Sequence, residues 1–339
     1  MDYFLTFVRR NYIKNHMIKW GILGAGGIAE KFASDFELVK GSSIVAVAAR
    51  SKQRAESFAQ KHHIEKSYGS YQELVNDKDI DIIYIATTHN FHLEHILLCL
   101  QHNKHVLCEK PATVNLSQFN TAREEAKKRG LFFMEALWTA FLPTILKAKE
   151  WISTGAIGEI KMIQADLGFS LDLTPEKRYI NPELAAGTLL DIGIYPLHFG
   201  QLFAASDVAS YQIMADMYYS GVDKTNLIQL RYKNGIFGQY SACTAERYEN
   251  DGIIIGTKGR IIIKDFHMTK QAILKTEDHE ESFTDDSTGF GYNFETQSVI
   301  DCLEQHLTEN PIMPLNQTSK IISLMDSMRN DIGLKYPFE

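Results

Sequence analysis

Apolar positions in the first part of the chain alternate between short continuous runs and runs with helical spacing. Continuous runs fit strands buried on both faces, and the helical runs between them fit crossover helices. From Ile18 onward this pattern predicts a doubly wound α/β fold with a parallel sheet. The predicted strands are Ile18–Leu23, Ser43–Ala49, Ile82–Ala86, His105–Cys108 and Leu131–Met134. The predicted helices lie near Ile28–Leu38, Lys52–His62, Tyr71–Val75, Phe91–His102 and Leu116–Arg129, with Gly130 as the last C-cap.

After Trp138 the pattern changes to longer strands rich in alternating or β-branched residues, which predicts a second domain. The predicted strands are Ile160–Phe169, Ala209–Tyr219, Thr225–Tyr232, Ile236–Thr244, Gly252–Gly256, Gly259–Lys264 and Gln271–Lys275. The predicted helices are Pro143–Ser153, Leu189–Leu202, Asn293–Gln305 and Asn316–Ile332. We expect a large open, mostly antiparallel sheet with helices on one face. Because the other face would be an aggregation hazard if it stayed bare, we expect a homodimer.

Length and composition fit this organisation. A chain of 339 residues with 45% hydrophobic residues has room for about two domains. We expect an NAD(P)-binding Rossmann domain at 17–137 and a substrate-binding and dimerisation domain at 138–339. Residues 1–16 are interpreted as an N-terminal extension. A misassigned start codon, an ordered packing helix and a secretory signal remain alternatives for this extension.

Charge and cysteine content exclude several classes of protein. The net charge is −7 and the sequence has no dense Lys/Arg cluster, which argues against a nucleic-acid partner. Its apolar runs are too short for a membrane helix. The four cysteines form no closely spaced pair, so a disulfide framework or zinc site has no support. We expect a cytoplasmic protein whose partner is a small molecule.

A glycine-rich loop follows the first predicted strand and precedes the first helix. Gly24 permits a tight turn, Gly26 lets the backbone approach a pyrophosphate, and Ala29 keeps the helix close to the strand. Gly27 and Ile28 begin the helix, whose free N–H groups favour an anion. The loop therefore predicts a dinucleotide site, the alternative being an ordinary strand-to-helix turn.

The end of the second strand indicates which dinucleotide binds. An NAD-selective site places a carboxylate there, but this chain has Arg50 and Ser51, with Arg54 one helical turn later. Because a guanidinium binds phosphate through two parallel hydrogen bonds, NADP is the expected cofactor, with NAD possible. In the alternative interpretation Arg50 stacks on the adenine ring.

The fourth strand of the first domain, His105–Cys108, is followed by Glu109, Lys110 and Pro111. Proline stops the strand and fixes the backbone of Lys110 at the carboxyl edge of the sheet, where ligands of this fold bind. Lys110 then places positive charge beside a reacting hydroxyl, and Glu109 holds either the ammonium group or the ribose. The alternative is a solvated turn.

A third candidate lies on the predicted helix that begins near Leu189. Asp191, Tyr195 and His198 have the spacing i, i+4 and i+7, which predicts that all three share one helix face. An acid, a phenol and an imidazole on one face suggest a polar site. The alternative is a helix whose polar face points outward.

Histidines cluster after the strand that ends at Ala86. His89, His92 and His95 invite a metal interpretation, but no paired carboxylate or cysteine completes a site, so we expect no metal. At the carboxyl end of a parallel strand, Thr87, His89 and His92 are expected to line the nicotinamide pocket.

Together these motifs resemble the glucose-fructose oxidoreductase/inositol dehydrogenase (Gfo/Idh/MocA) family from Met17 onward. Residues 135–138, 141–143 and 191–195 and the closing 336–339 are most similar to its dimeric dihydrodiol dehydrogenase branch, which also oxidises D-xylose with NADP. The resemblance implies Lys110 and Tyr195 as the catalytic pair, Asp191 as a helper, and Trp138 and Phe169 as pocket walls. It also implies dimerisation through the open sheet face. Ala140 stands where that branch usually has an arginine, which leaves the fine substrate pocket open.

The expected activity is NADP-dependent hydride transfer at a hydroxyl or carbonyl carbon of a sugar, polyol or trans-dihydrodiol. In this mechanism Tyr195 exchanges the hydroxyl proton, Lys110 lowers the tyrosine pKa, and His198 passes the proton onward. A non-enzymatic NADP-sensing regulator of the same fold is the alternative, against which the presence of both Lys110 and Tyr195 argues.

Overall fold

Two β-sheets with packed helices make up the computed structural model, which describes residues 17–172 and 178–339. The predicted N-terminal extension at 1–16 lies outside these described residues.

The first sheet has six parallel strands in the order β3-β2-β1-β4-β5-β6. These strands are β1 (Ile18–Leu23), β2 (Ser42–Ala48), β3 (Lys66–Tyr68), β4 (Ile82–Ile85), β5 (His105–Glu109) and β6 (Phe133–Ala136). The connecting helices are α1 (Gly27–Asp35), α2 (Lys52–Lys61), α3 (Tyr71–Asn76), α4 (His92–Gln101) and α5 (Leu116–Arg129). Strand order reverses at β1, so the carboxyl ends of β1 and β4 border the crevice where ligands of such sheets bind.

The second sheet has eight strands in the order β14-β13-β12-β11-β7-β10-β9-β8. They are β7 (Ile160–Gly168), β8 (Val208–Met217), β9 (Asp223–Tyr232), β10 (Phe237–Cys243), β11 (Gly252–Gly256), β12 (Gly259–Lys264), β13 (Gln271–Thr276) and β14 (Glu280–Thr284). Only β7 and β10 pair in parallel among these strands. The expected mostly antiparallel sheet is therefore confirmed.

Helices cover one face of the second sheet and also connect it to the first. They are α6 (Pro143–Ser153), α7 (Ile194–Ala204), α8 (Tyr292–Glu304) and α9 (Leu315–Asp331). Helices α6 and α7 pack on the second sheet, whereas α8 packs on α1, and α9 packs on α5 and β6. The last two helices thus return to the first sheet and hold the two halves together.

The opposite face of the second sheet is exposed in the single chain. Met214, Leu227 and Phe237 point outward from β8, β9 and β10 and are 70%, 51% and 49% exposed. The neighbouring positions on these strands alternate with buried ones. This alternation is the pattern of a sheet whose one face is covered by helices.

The structure corrects three sequence expectations. Strands β3 and β14 were not predicted, because β3 has only three residues and β14 is an edge strand with exposed polar residues. The helix predicted from Leu189 begins as a π-helical segment, Leu189–Gly193, and becomes α-helical only in α7. A π-helical turn holds more residues than an α-helical turn, so a spacing rule built on 3.6 residues per turn does not apply across it.

Candidate active site

The glycine-rich loop joins β1 to α1 and leaves space beside its backbone. Gly24 has φ +106°, and a Cβ there would lie 3.0 Å from the Ala86 carbonyl oxygen. A Cβ on Gly26 or Gly27 would meet no atom of the described residues within 4 Å. Gly26 is the N-cap of α1, and no side chain of the described part of the chain caps that helix. The loop therefore fits a pyrophosphate, because the helix N–H groups are open to an anion.

A crevice of about 300 Å³ follows this loop toward α2. Arg54 lines it and donates from Nε to the Ala25 carbonyl oxygen at 2.9 Å. Ser51 is the N-cap of α2 and accepts from the Arg54 backbone N–H at 3.4 Å. Arg50 lies near the end of β2 and is exposed. The Arg54 guanidinium beside the phosphate loop fits a further phosphate on the ribose.

The turn after β5 is held from several sides. The Lys110 backbone N–H donates to Glu109 Oε2 at 3.3 Å, and the Ala112 N–H donates to Glu135 Oε1 at 2.8 Å. His92 Nδ1 lies 2.8 Å from the Pro111 carbonyl oxygen. These contacts fix the backbone on both sides of Lys110 and aim its side chain out of the sheet edge.

Lys110, Asp191 and Tyr195 come together from separate elements. The Lys110 ammonium lies 3.2 Å from Asp191 Oδ1, donates also to the Asp191 carbonyl oxygen, and stands 5.1 Å from the centre of the Tyr195 ring. His89 Nε2 and an Arg178 nitrogen approach the same carboxylate at 3.6 and 3.4 Å. The structure thus assembles a buried cluster of opposite charges beside a phenol.

The electrostatics of this cluster keep the ion pair charged. Burial alone would raise the pKa of Asp191, but the charges of Lys110 and Arg178 hold it well below its usual range. Burial alone would lower the pKa of Lys110, but the Asp191 carboxylate raises it above its usual value. Burial lowers the pKa of His89 to about 3, so that imidazole is neutral.

Tyr195 keeps its proton in this environment. Burial raises the pKa of Tyr195 to about 12, even though the Lys110 charge and the hydrogen bond from Trp138 act in the opposite direction. The expected lowering by Lys110 is therefore present, but it is smaller than the effect of burial. At neutral pH the phenol is a proton donor.

Aromatic side chains surround the Tyr195 phenol. Trp138 Nε1 donates to the Tyr195 oxygen at 3.1 Å. The His267 ring lies edge-on to Tyr195 and to Phe169, with centroid distances of 5.9 and 5.4 Å. Sequence reasoning missed His267 and Arg178, because neither belongs to a local motif. Arg178 stands close to Asp191 only through the fold.

One expectation is wrong in detail. His198 Nε2 lies 3.0 Å from Met313 Sδ and 3.2 Å from Gln317 Nε2, so this ring faces α9 instead of sharing a face with Asp191 and Tyr195. Helix α7 is buried on nearly all sides, because it packs on the second sheet and on α9. A polar residue of α7 can therefore face either of these neighbours. Glu109, expected to hold either the Lys110 ammonium or the ribose, accepts from the Tyr84 hydroxyl, and its contact with the ribose stays a prediction.

The remaining predicted residues lie at the end of β4. The Thr87 hydroxyl contacts His95 Nδ1 at 2.9 Å, and His92 Nε2 lies 3.1 Å from the Thr87 carbonyl oxygen. The three histidines have different surroundings. His89 lies in the charged cluster, His92 contacts the turn that carries Lys110, and His95 contacts Thr87 outside the cluster.

Comparisons with known proteins match both halves of the chain. A sequence profile described as an oxidoreductase family with an NAD-binding Rossmann fold matches residues 18–137, and one for the GFO/IDH/MocA C-terminal domain matches residues 145–262. The chain belongs to the Gfo/Idh/MocA oxidoreductase family. Curated relatives are trans-1,2-dihydrobenzene-1,2-diol dehydrogenases. The Bos taurus protein is 34% identical and the Homo sapiens protein 32%, each over 94% of this chain and 98% of the relative.

Solved structures share the fold. A 3-ketoreductase from Actinomadura kijaniata in complex with NADP and TDP-benzene has a TM-score of 0.84 at 24% identity, covering 93% of this chain and 98% of that one. An aldose-aldose oxidoreductase from Caulobacter crescentus complexed with glycerol has a TM-score of 0.85 at 18% identity, covering 94% and 98%.

The Gfo/Idh/MocA membership confirms several sequence predictions. The protein is a dehydrogenase or reductase, and it uses a nicotinamide dinucleotide. The comparisons favour the enzyme over a non-enzymatic regulator. Among the described residues, no helix combines the length and hydrophobicity needed to cross a bilayer.

Proposed function

We propose that this protein is an NADP-dependent oxidoreductase whose substrate is a ring compound with neighbouring hydroxyl groups, such as a trans-dihydrodiol or a cyclic sugar. The observation that carries the proposal is the buried Lys110–Asp191 ion pair beside the Tyr195 phenol. This cluster stands at the carboxyl end of β5, in the same parallel sheet whose strand β1 ends at the glycine-rich loop. A proton donor and a fixed positive charge at that end are what a carbonyl reduction needs.

The cofactor site is built from the motifs at the ends of β1, β2 and β4. Gly24, Gly26, Gly27, Ile28 and Ala29 would hold the pyrophosphate at the start of α1. The 2′-phosphate would be held by a second set of residues, namely Arg50, Ser51 and Arg54. Thr87, His89, His92, Glu109 and Lys110 would border the nicotinamide end. The nicotinamide ring, when bound, accepts or supplies the hydride.

Tyr195 and Lys110 have different tasks in this reaction. In the reductive direction Tyr195 donates its phenolic proton to the substrate oxygen, and the Lys110 ammonium stabilises the negative charge that develops there. In the oxidative direction Tyr195 recovers the proton from the hydroxyl group. Asp191 keeps Lys110 charged and in place. His198 has no task in this mechanism, since it faces Met313.

The pocket walls favour a ring substrate. Trp138, Phe169 and His267 surround Tyr195 with flat faces and edges, which suit the apolar faces of a six-membered ring. Arg178 and Asp191 stand beside them and offer polar contacts to hydroxyl groups. The curated relatives named for a dihydrobenzenediol support this choice.

We further propose that the protein is a cytoplasmic homodimer with a domain boundary between residues 137 and 138. The exposed face of the second sheet carries large apolar side chains, and a second copy of the chain would cover them. The four cysteines, all within the described residues, are free thiols, which suits a reducing compartment.

The test is NADP-linked turnover by the purified protein with D-xylose, glucose, inositol and a trans-dihydrodiol. We expect NADPH absorbance to rise with at least one of them, and NAD⁺ to serve less well than NADP⁺.

Lys110→Met and Tyr195→Phe should each lower kcat by roughly 10²- to 10⁴-fold, the usual effect of losing a positioned acid–base group. Tyr211→Phe is the matched control, because Tyr211 contacts Asp331 at the surface and should leave turnover unchanged. Turnover within a few fold of wild type in Lys110→Met or Tyr195→Phe contradicts the assignment.

A further inference from the structure

The beginning of helix α8 is capped by a residue of helix α1. Asp35 is the last residue of α1 and is 2% exposed. Its carboxylate accepts from the backbone N–H groups of Phe290, Gly291 and Tyr292 at 2.8, 2.7 and 2.9 Å. A carboxylate at a helix N-terminus satisfies N–H groups that otherwise lack partners and interacts favourably with the helix dipole. Asp35 therefore fixes where α8 begins, across a sequence gap of more than 250 residues.

The first residue of α8 is in turn packed against the active site. The Tyr292 ring stacks on the Trp138 indole with a centroid distance of 4.7 Å and an interplanar angle of 2°. The turn before it is close to the same segment, since a Cβ on Gly291 would lie 2.7 Å from Leu142 Cδ2 and 3.1 Å from the indole. The plane of the indole is thus set by Tyr292.

The orientation of that plane decides where the indole N–H points. Trp138 Nε1 donates to the Tyr195 oxygen at 3.1 Å, so the phenol accepts one hydrogen bond while its own proton stays available for a substrate. A rotation of the indole within its plane or out of it would remove this bond, because hydrogen bonds weaken steeply away from linear geometry.

We propose that Tyr292 and Asp35 are positioning residues for the catalytic phenol: Asp35 fixes the start of α8, Tyr292 stacks on Trp138, and Trp138 holds the Tyr195 oxygen through its N–H. The inference rests on the role proposed above for Tyr195. Helix α1 also begins at the glycine-rich loop, so one helix supports both the phosphate site and the phenol.

The direct test measures the hydrogen bond from the Trp138 indole to the Tyr195 oxygen by nuclear magnetic resonance. The chain has three tryptophans, so protein labelled with ¹⁵N at the indole gives three N–H signals, from Trp20, Trp138 and Trp151. Trp138→Phe assigns the Trp138 signal, and Tyr195→Phe shows how it moves when the acceptor is lost. Tyr292→Leu should move the Trp138 signal in the same direction as Tyr195→Phe, whereas Tyr292→Phe should leave it in place because the ring stack remains.

Asp35→Asn gives a second variant should Tyr292→Leu fail to fold. It should move the Trp138 signal in the same direction by a smaller amount. Its matched control is Asp81→Asn, which weakens another carboxylate contact to a backbone N–H, from Lys19 at 2.9 Å near the amino ends of β1 and β4. The control should lower thermal stability without moving the Trp138 signal.

The pH profile gives the functional readout. Loss of the indole hydrogen bond makes the phenolate less favourable, so the midpoint of the oxidative pH profile should move to higher pH in Tyr292→Leu and return to the wild-type value in Tyr292→Phe. A folded Tyr292→Leu or Asp35→Asn protein with an unchanged Trp138 signal overturns the inference. If the signals move but Tyr195→Phe stays active, the positioning contacts are real and the proposed role of Tyr195 is wrong.

Discussion

The buried ion pair between Lys110 and Asp191 dominates the site at the scale of single residues. Each charge is removed from water and is stabilised mainly by the other, with Arg178 as an additional cation on Asp191. Breaking such a pair leaves one buried charge without compensation. The neighbouring His89 is neutral and adds no charge that would replace either partner.

Asp191→Asn should therefore destabilise the protein and alter its pH dependence. The lowered pKa of Asp191 contributes stability above the unfolded carboxyl pKa, and the raised pKa of Lys110 contributes stability below the unfolded lysine pKa. Both contributions are present at neutral pH. We expect chemical denaturation at pH 7 to show a loss of roughly 3–5 kcal/mol. Because burial then lowers the pKa of Lys110 without opposition from Asp191, the alkaline decline of reductase activity should move to lower pH.

Glu280→Gln is the comparison for this prediction. Glu280 pairs with Lys275 at 3.0 Å, and the two side chains are 59% and 35% exposed, so the loss should be only about 0–1 kcal/mol. Equal losses in the two variants would show that Lys110 is not held by Asp191 as a buried pair.

The sequence predicts the location of a residue in the fold best where that residue belongs to a motif of consecutive residues. The glycine-rich loop and the Lys110 turn could be located because the local chain determines their geometry. Arg178 could not, because no motif in the segment between it and Asp191 predicts their contact. His267 could not, because it lies far from Tyr195 in the sequence and reaches it only through the fold. The prediction for His198 was wrong because helical spacing gives the direction of a side chain around the helix axis. It does not tell which part of the protein lies in that direction, and for His198 that part is α9.

At the scale of elements, the β1–α1 turn contains two glycines with different tasks. Gly24 has positive φ and no room for a side chain beside Ala86, whereas Gly26 has φ −104°, which any residue adopts, and open space at its Cβ position. The fold needs the first glycine, whereas under the proposed function the bound cofactor needs the second.

Gly24→Ala and Gly26→Ala should therefore fail in different ways. Gly24→Ala should lower the stability of the cofactor-free protein by about 1–3 kcal/mol through backbone strain. Gly26→Ala should leave that stability unchanged but weaken NADP binding by about 10- to 100-fold, as expected if one charge-assisted hydrogen bond worth about 1.5–3 kcal/mol is lost. Thermal melts without cofactor and calorimetric titration with NADP⁺ separate the two. A Gly26→Ala protein with normal NADP affinity contradicts a pyrophosphate at this turn.

Element prediction succeeded where burial imposes a clear period and failed where it does not. The strands of the parallel sheet are nearly continuous apolar runs, and β9 alternates along most of its length. Short or polar edge strands such as β3 and β14 bury too little to leave a pattern. The π-helical segment at Leu189–Gly193 is buried at all five positions, so its sequence looks like that of an ordinary buried helix.

At the scale of the whole molecule, the proposed active site lies where residues of the first sheet contact residues that pack on the second sheet. Lys110 comes from the first sheet, and Asp191 and Tyr195 come from the helix on the second. Helices α8 and α9 pack back on the first half, a crossing that no local pattern in the sequence predicts. Tyr336 adds to it, since its hydroxyl donates to the Ala186 carbonyl oxygen at 2.6 Å, a few residues before Asp191.

Assembly through the exposed face of the second sheet is testable. Met214 and Leu227 are directly paired across β8 and β9, whereas Phe237 lies farther along this face on β10, opposite Arg231 of β9. A stable dimer interface buries at least about 1,000 Å² in total. The large side chains on this sheet face would contribute to that area by packing against those of a second chain.

We expect light scattering after size exclusion to give twice the chain mass for the wild-type protein at micromolar concentration. Leu227→Glu should give the single-chain mass, because each chain would then bury an uncompensated carboxylate in the proposed interface. Leu146→Glu changes an equally exposed leucine on α6 and should stay dimeric, whereas a dimeric Leu227→Glu protein would place the interface on another surface.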